Sequence, residues 1–270
     1  MTIRIGVIGC GGRMGRLLLR TILEDEGSRL TGGVEQARSP EVGQDLGRLA
    51  GLEPIGLRAT ADARLLVEES DVVIEFTSPE ATVHHAGLAA AAGRAHVIGT
   101  TGLSETQKAA IRRAAERTPI VLAANMSLGV TLLTALVKEV ARSLDAGWDI
   151  EIVEMHHRMK VDAPSGTALI LGEAAAEGRG VRLSDVAVRG RDGITGARKA
   201  GGIGFAALRG GDAVGEHRVL FAGLGERIEL AHVATDRAIF ARGAVRAAQW
   251  AHGRKPGLYA IRDVLGLGPG

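Results

Sequence analysis

The opening thirty-five residues restrict the fold more than any other stretch of the chain. Ile3 to Ile8 is a short apolar run suited to a buried strand, and Arg16 to Leu23 repeats its apolar residues at helical spacing. Between them stands Gly9-Cys-Gly-Gly-Arg-Met-Gly15. Glycines at 9, 12 and 15 let backbone approach a pyrophosphate at a helix N-terminus, where a bulkier loop would keep it away. Taken alone such a loop is weak evidence, its alternative being a tight turn, but the next strand, Leu30 to Val34, ends at Glu35, about twenty residues past Gly15. An acid at that place accepts bonds from a ribose diol, which raises dinucleotide binding well above the tight-turn reading.

The same alternation continues. Leu65 to Glu69 reads as helix, Val72 to Phe76 as strand, Thr82 to Ala92 as helix and His96 to Ile98 as strand. Ser104 to Arg117 is a helix capped by Ser104, and Ile120 to Ala124 is a further strand. This order predicts a parallel sheet with helices on both faces over about the first 125 residues. Beyond it, the amphipathic stretch Val130 to Leu144 leads into strands at 150–155, 186–189, 203–209, 216–222 and 226–232. They predict an α+β domain on a mixed or antiparallel sheet, with the Ala238 to Trp250 helix and the Gly257 to Leu265 segment returning to the first domain. The expected division is 1–126 with 237–270, and 127–236.

Composition removes several function classes. The formal charge is +2 and the aromatic residues are four Phe, two Trp and one Tyr, so neither nucleic-acid attraction nor base stacking is supported. Cys10 is the only cysteine, which excludes an internal disulfide and any multi-cysteine metal site. No metal site is expected. A reducing cytoplasm is the simplest home, and no apolar run suits a membrane span or a signal peptide.

The chemistry concentrates in Glu151-Ile-Val-Glu-Met-His-His-Arg-Met-Lys-Val-Asp-Ala-Pro-Ser-Gly-Thr-Ala168. An alternating strand delivers His156, His157, Arg158 and Lys160 into a loop, and on extended backbone His156 and His157 point to opposite sides. Pro164 and Ser165 then stand before the apolar run that begins a helix. First-turn N–H groups near Gly166 and Thr167 suit a carboxylate. A lone histidine after a strand is usually structural, a lone lysine is usually a solvated charge, and Ser-Gly-Thr is usually a cap. The group as a whole points to an acidic substrate.

Gly99-Thr100-Thr101-Gly102 and Ala123-Ala124-Asn125-Met126 follow two strands of the parallel sheet. In such sheets ligands lie at the carboxyl ends of strands, so both segments are candidates for the nicotinamide side. Glu35 favours NADH, because a carboxylate repels a ribose phosphate and Gln36 carries no offsetting charge. Arg38 lies two residues further on and leaves some use of NADPH open.

These residues bring a family into view. The chain resembles the bacterial 4-hydroxy-tetrahydrodipicolinate (dihydrodipicolinate) reductases of lysine biosynthesis, nearly end to end. The likeness rests on Gly9-Cys-Gly-Gly-Arg-Met-Gly-Arg16, Glu75-Phe-Thr, Val97-Ile-Gly-Thr-Thr-Gly102, Ala123-Ala-Asn-Met-Ser, Gly215-Glu-His and a C-terminal match from Asp236 to Arg246. Its most specific part is Glu154-Met-His-His-Arg-Met-Lys-Val-Asp-Ala-Pro-Ser-Gly-Thr167. The resemblance implies a Rossmann-type dinucleotide domain with a substrate-binding and tetramerisation domain. It also implies NAD(P)H-dependent reduction of a hydroxylated cyclic imine dicarboxylate with loss of water. His156 becomes the proton donor, Lys160 a second donor or anion partner, His157 a substrate contact, and Gly166 and Thr167 the carboxylate holders. The nucleotide falls to Gly9, Cys10, Gly11, Gly12, Arg13, Met14, Glu35, Gln36, Gly99, Thr100, Thr101, Ala123, Ala124, Asn125, Met126 and Phe240. Gln36 stands where an arginine is common in the family, and Met159 where a histidine is common.

Two competitors are set against this reading. Another NAD-dependent amino- or imino-acid dehydrogenase would not need the His-His-x-x-x-Lys and Ser-Gly-Thr cluster. A redox-sensing nucleotide module would keep the glycine loop without any acid–base group.

Overall fold

A computed structural model describes residues 2–268 of the chain. Its first elements are β1 (Ile3–Ile8), α1 (Arg13–Leu23), β2 (Ser28–Val34), α2 (Leu46–Leu49), α3 (Ala63–Glu69), β3 (Val72–Glu75), α4 (Pro79–Ala92), β4 (Ala95–Ile98), α5 (Glu105–Ala115) and β5 (Pro119–Leu122). They are followed by α6 (Leu128–Ser143), β6 (Asp149–His156), α7 (Gly166–Gly178), α8 (Leu183–Val186), β7 (Ala187–Arg189), β8 (Ile203–Arg209), β9 (Gly215–Ala222) and β10 (Arg227–Ala234). The chain ends with α9 (Ala238–Ala251), β11 (Gly257–Tyr259) and α10 (Ile261–Val264).

Two compact units result, one made of the chain up to Leu128 and again from Ala238, the other of Gly129–Arg237. In the first, six strands pair in the order β11-β5-β4-β3-β1-β2, all parallel. Strands buried on both faces read as continuous apolar runs, and Val72, Val73 and Ile74 show no exposure. One face is closed by Leu18, Leu19 and Ile22 of α1 with Ala244, Ala247, Ala248 and Ala251 of α9. The other is closed by α3 and α4 through Leu66, Val67 and Ala89. Strand order reverses beside β1, which lies between β2 and β3, and ligands of open α/β sheets bind at such a switch point.

In the second unit the sheet runs β10-β9-β6-β8-β7, with β6 antiparallel to β9 and parallel to β8. It is the mixed sheet expected. Along β6 burial alternates strictly, so Ile150, Ile152, Glu154 and His156 face inward. Ile150 and Ile152 join Val219, Phe221, Leu171 and Val137 in a core between the sheet and α6 and α7.

Several elements begin earlier than apolar periodicity suggests, because caps and not periodicity set helix starts. Helix α1 starts at Arg13 inside the glycine loop, and α4 starts at Pro79 behind the Ser78 cap. Strand β6 extends to His156, so that histidine ends a strand and does not lie in the loop. The short helix α2 has no periodic signal; it exists because Asp45 accepts bonds from the N–H groups of Gly47 and Arg48, and also from Ile55 and Gly56.

Candidate active site

Gly9 leaves β1 with φ +81, a conformation that a side chain disfavours, and its N–H bonds to Val34 O at 2.8 Å. A Cβ on Gly15 would stand 2.0 Å from Gly9 O, so the turn closes only with glycine there. Gly12 caps α1 with extended backbone and no side-chain bond, which leaves the start of the helix to meet an anion. These features fit a dinucleotide pyrophosphate. A cavity of about 1130 Å³ opens beside them, lined among others by Gly9, Gly12, Glu35, Gln36, Thr77 and His85. It sits at the carboxyl ends of β1 and β3, the switch point described above.

The remaining predicted nucleotide residues divide. Gly11 donates its N–H to Glu35 Oε1 at 2.9 Å, and Arg13 opens α1 with an exposed side chain. Met14 packs on the core, and Cys10 is fully buried, its thiol pushed up to about 12 by burial first and by Glu35 second. Gly99, Thr100 and Thr101 follow β4, and Ala123, Ala124, Asn125 and Met126 follow β5, outside the lining of the cavity but at the same ends of the same sheet. A Cβ on Gly99 would strike the Phe76 ring at 2.2 Å, so that loop is fixed against a wall of the cavity. Thr100 Oγ1 accepts bonds from Thr77 N–H and the Thr82 hydroxyl. The turn after β5 is held by Asn125 Oδ1, which accepts the Ser127 N–H at 2.8 Å, and Gly243 of α9 packs against Met126 O. Phe240 lies half-buried on α9 against the core.

One group near the cavity was not singled out from sequence. Glu75 is wholly buried, yet it is held at about 2; burial would raise it, and the hydrogen bond with His85 together with the close approach of His96 outweighs that. His85 Nδ1 lies 2.7 Å from Oε1, and His96 Nε2 lies 2.9 Å from Oε2. The Glu-Phe-Thr motif was visible, but the two histidines reach it only through the α4 and β4 packing.

In the second unit the acid–base group is more fully built. Glu154 and His156, two apart on β6, share the inward side, and Glu154 Oε2 lies 2.6 Å from His156 Nδ1. Arg209, paired with His156 on β8, clasps both oxygens of Glu154 at 2.8 Å. The Ser165 N–H donates to Glu154 Oε1 at 3.1 Å. With Nδ1 turned to the carboxylate, Nε2 is the nitrogen of His156 available for chemistry. Burial lowers the His156 pKa below its ordinary value against the pull of Glu154, while Lys160 and Arg209 lower it further.

His217 stacks edge-on to His156 with centroids 5.1 Å apart, and burial, then His156, pushes its pKa down to about 4. It is therefore neutral, and its Nε2 bonds Ser165 Oγ at 3.0 Å. That hydroxyl also accepts the Ala168 N–H, so Ser165 is the cap of α7 and Gly166 and Thr167 form the first turn. Lys160 sits nearby in the loop, paired with Asp162 at 2.8 Å. His157 turns away from His156, its N–H bonded to Ala213 O and its Nε2 3.3 Å from Arg237 Nη2. Glu154, Arg209 and His217 were given no role from sequence. Glu-x-His on one strand was the available signal for the first, and His217 closes the Gly215-Glu-His motif; what brings Arg209 and His217 to Glu154 and His156 is the register of β6 with β8 and β9.

Residues 3–126 match the family model described as dihydrodipicolinate reductase, N-terminus, and residues 129–265 match that described as its C-terminus. The chain belongs to the dihydrodipicolinate reductase family. It is 61% identical over 266 residues to the 4-hydroxy-tetrahydrodipicolinate reductase of Parvibaculum lavamentivorans, covering 98% of each chain. With the enzyme of that name from Rhodopseudomonas palustris strain BisB18 it shares 58% over 264 residues, 98% of this chain and 97% of the other. Among solved structures it is similar to a dipicolinate-bound dihydrodipicolinate reductase from Paenisporosarcina sp. TG-14, at 26% identity and a TM-score of 0.78, covering 96% of this chain and 98% of that one. Like other reductases of this family, the chain is an oxidoreductase of the pyridine-nucleotide class.

Proposed function

We propose that the protein reduces 4-hydroxy-tetrahydrodipicolinate to tetrahydrodipicolinate with loss of water, His156 acting as proton donor. The observation that carries this reading is the Arg209–Glu154–His156 array with Lys160 and the start of α7 beside it. Elimination of the 4-hydroxyl with a proton from the adjacent carbon releases the water and leaves a conjugated imine, to which the nicotinamide, when bound, would supply a hydride. Reduction leaves electron density on the substrate that must be protonated, and His156 Nε2 delivers that proton. Glu154 fixes the ring and its tautomer. At neutral pH the resting ring is mostly neutral, so it takes up its proton as the dicarboxylate arrives and offsets the cost of burial. Lys160 serves as anion partner or second donor once it leaves Asp162, His157 contacts substrate, and Gly166 and Thr167 hold a carboxylate with first-turn N–H groups.

The first unit would hold the nucleotide, with the glycine loop at the pyrophosphate, Glu35 at the adenosine ribose, and the 99–101 and 123–126 loops with Phe240 toward the nicotinamide. NADH is preferred over NADPH because Glu35 faces the diol and Gln36 is uncharged. The second unit binds substrate and forms a homotetramer in the cytoplasm. Support for assembly comes from the outer side of its sheet, where Val153, Met155 and Leu220 stand beside Leu208 and Val233, which are 51% and 56% exposed. No helix among the described residues is long and apolar enough to cross a membrane.

The test is to generate the substrate in situ with its synthase and follow nicotinamide absorbance. Substrate-dependent oxidation of NADH is expected; no oxidation of either nucleotide would remove the assignment.

A further inference from the structure

Gly11 is gripped from three sides. Its N–H donates to Glu35 Oε1 at 2.9 Å, and its carbonyl accepts from Arg16 Nε at 2.8 Å. A Cβ on it would lie 2.6 Å from Glu41 Cγ, so the Glu41 side chain occupies the space a larger residue would need. Glu41 in turn pairs with Arg16 Nη2 at 3.2 Å and accepts the Ser39 hydroxyl on its other oxygen. The loop from Glu35 to Glu41 is folded to make this possible, with Ser39 N–H on Gln36 O and Val42 N–H on Ser39 O. Hydrogen bonding from Ser39 and the charge of Arg16 hold the Glu41 carboxyl below the usual range, so it is ionised at neutral pH.

Arg16 is a cation touching the same glycine as the ribose-directed carboxylate of Glu35. A phosphate on that ribose brings nearly two negative charges and needs such a cation. Here the guanidinium is already neutralised, and the neutralising group is a second carboxylate that, like Glu35, meets Gly11. Glu41 is more sheltered than Arg16, with 22% against 46% of the side chain exposed, so salt screens the pair only in part.

We infer that Glu41 is a specificity-determining residue, which by neutralising Arg16 and adding its charge beside Glu35 disfavours a phosphorylated ribose and reserves the site for the diol. The inference rests on the NADH-preferring reading above and names the residue that enforces it.

The test is direct binding of NADH and NADPH to the full chain, read by nicotinamide fluorescence, for wild type, Glu41→Gln and Glu41→Gln with Arg16→Met. Glu41→Gln is expected to tighten NADPH about tenfold, the scale of one released charge acting across a half-exposed groove, with NADH moving less than about twofold. Adding Arg16→Met should abolish the gain. An unchanged NADPH-to-NADH ratio in Glu41→Gln, or a gain that survives Arg16→Met, overturns the inference. Arg16→Met alone offers a second check: it leaves the Glu41 carboxylate unpaired and should weaken NADPH several-fold while NADH moves less than about twofold, and an unchanged or tighter NADPH would show that the Glu41 charge is not felt by the ribose phosphate, against the inference. The wild-type ratio judges the NADH reading separately, because tighter NADPH than NADH there refutes that reading whatever Glu41→Gln does.

Discussion

The Glu154 carboxylate stands 2.6 Å from His156 Nδ1, buried and two residues earlier on the same strand. This relationship decides which nitrogen of His156 does chemistry and when it carries a proton. Replacing Glu154 with Gln keeps the shape but removes the charge and the obligatory acceptor. Loss of kcat on the order of 10²-fold is expected, the lower end of what a positioned proton donor contributes, with NADH binding intact. Steady-state kinetics beside a nucleotide titration would check it; equal losses in both would point to a damaged fold.

Arg209 modulates that pair. Its guanidinium engages both Glu154 oxygens and its charge opposes protonation of His156, although burial is the larger cause of the lowered pKa. Because the protonated ring is the donor, turnover falls as pH rises through the His156 pKa. Arg209→Met should therefore move the alkaline limb of the kcat profile to higher pH, while Glu154→Gln moves it lower. A limb that stays in place in both variants would remove His156 from that titration.

Glu75 gives a pH dependence of stability. Its folded pKa is about 2 against an ordinary 4.5, so the carboxylate favours the fold fully above pH 4.5, and that contribution disappears as pH falls from 4.5 toward 2. Glu75→Gln should be less stable at pH 7 and should lose less stability over that acid window than wild type. Thermal melts across pH provide the measurement, and parallel curves for the two proteins would contradict it.

Much of this was legible in the sequence where local rules apply. The glycine loop, the strand–helix alternation, the cap at Ser165 and the opposed directions of His156 and His157 follow from period, spacing and turn chemistry. What escaped depends on partners far along the chain. Arg209 meets Glu154 across a parallel register of 55 residues' separation, and His217 reaches Ser165 across 52. Arg209 carries no local signal that distinguishes it from an ordinary strand residue, and the Gly215-Glu-His motif marks His217 without showing which residues it meets. Helix starts at Arg13 and Pro79 were misplaced because an extended cap residue, and not the apolar repeat, sets where the first turn begins.

The most direct test of the account is His156→Gln, assayed with substrate generated in situ and with NADH affinity measured on the same preparation. The expected result is a loss of kcat of about 10²- to 10⁴-fold with NADH affinity unchanged, as for removal of a general acid. Turnover at the wild-type rate would contradict the role assigned to His156 and, with it, the mechanism.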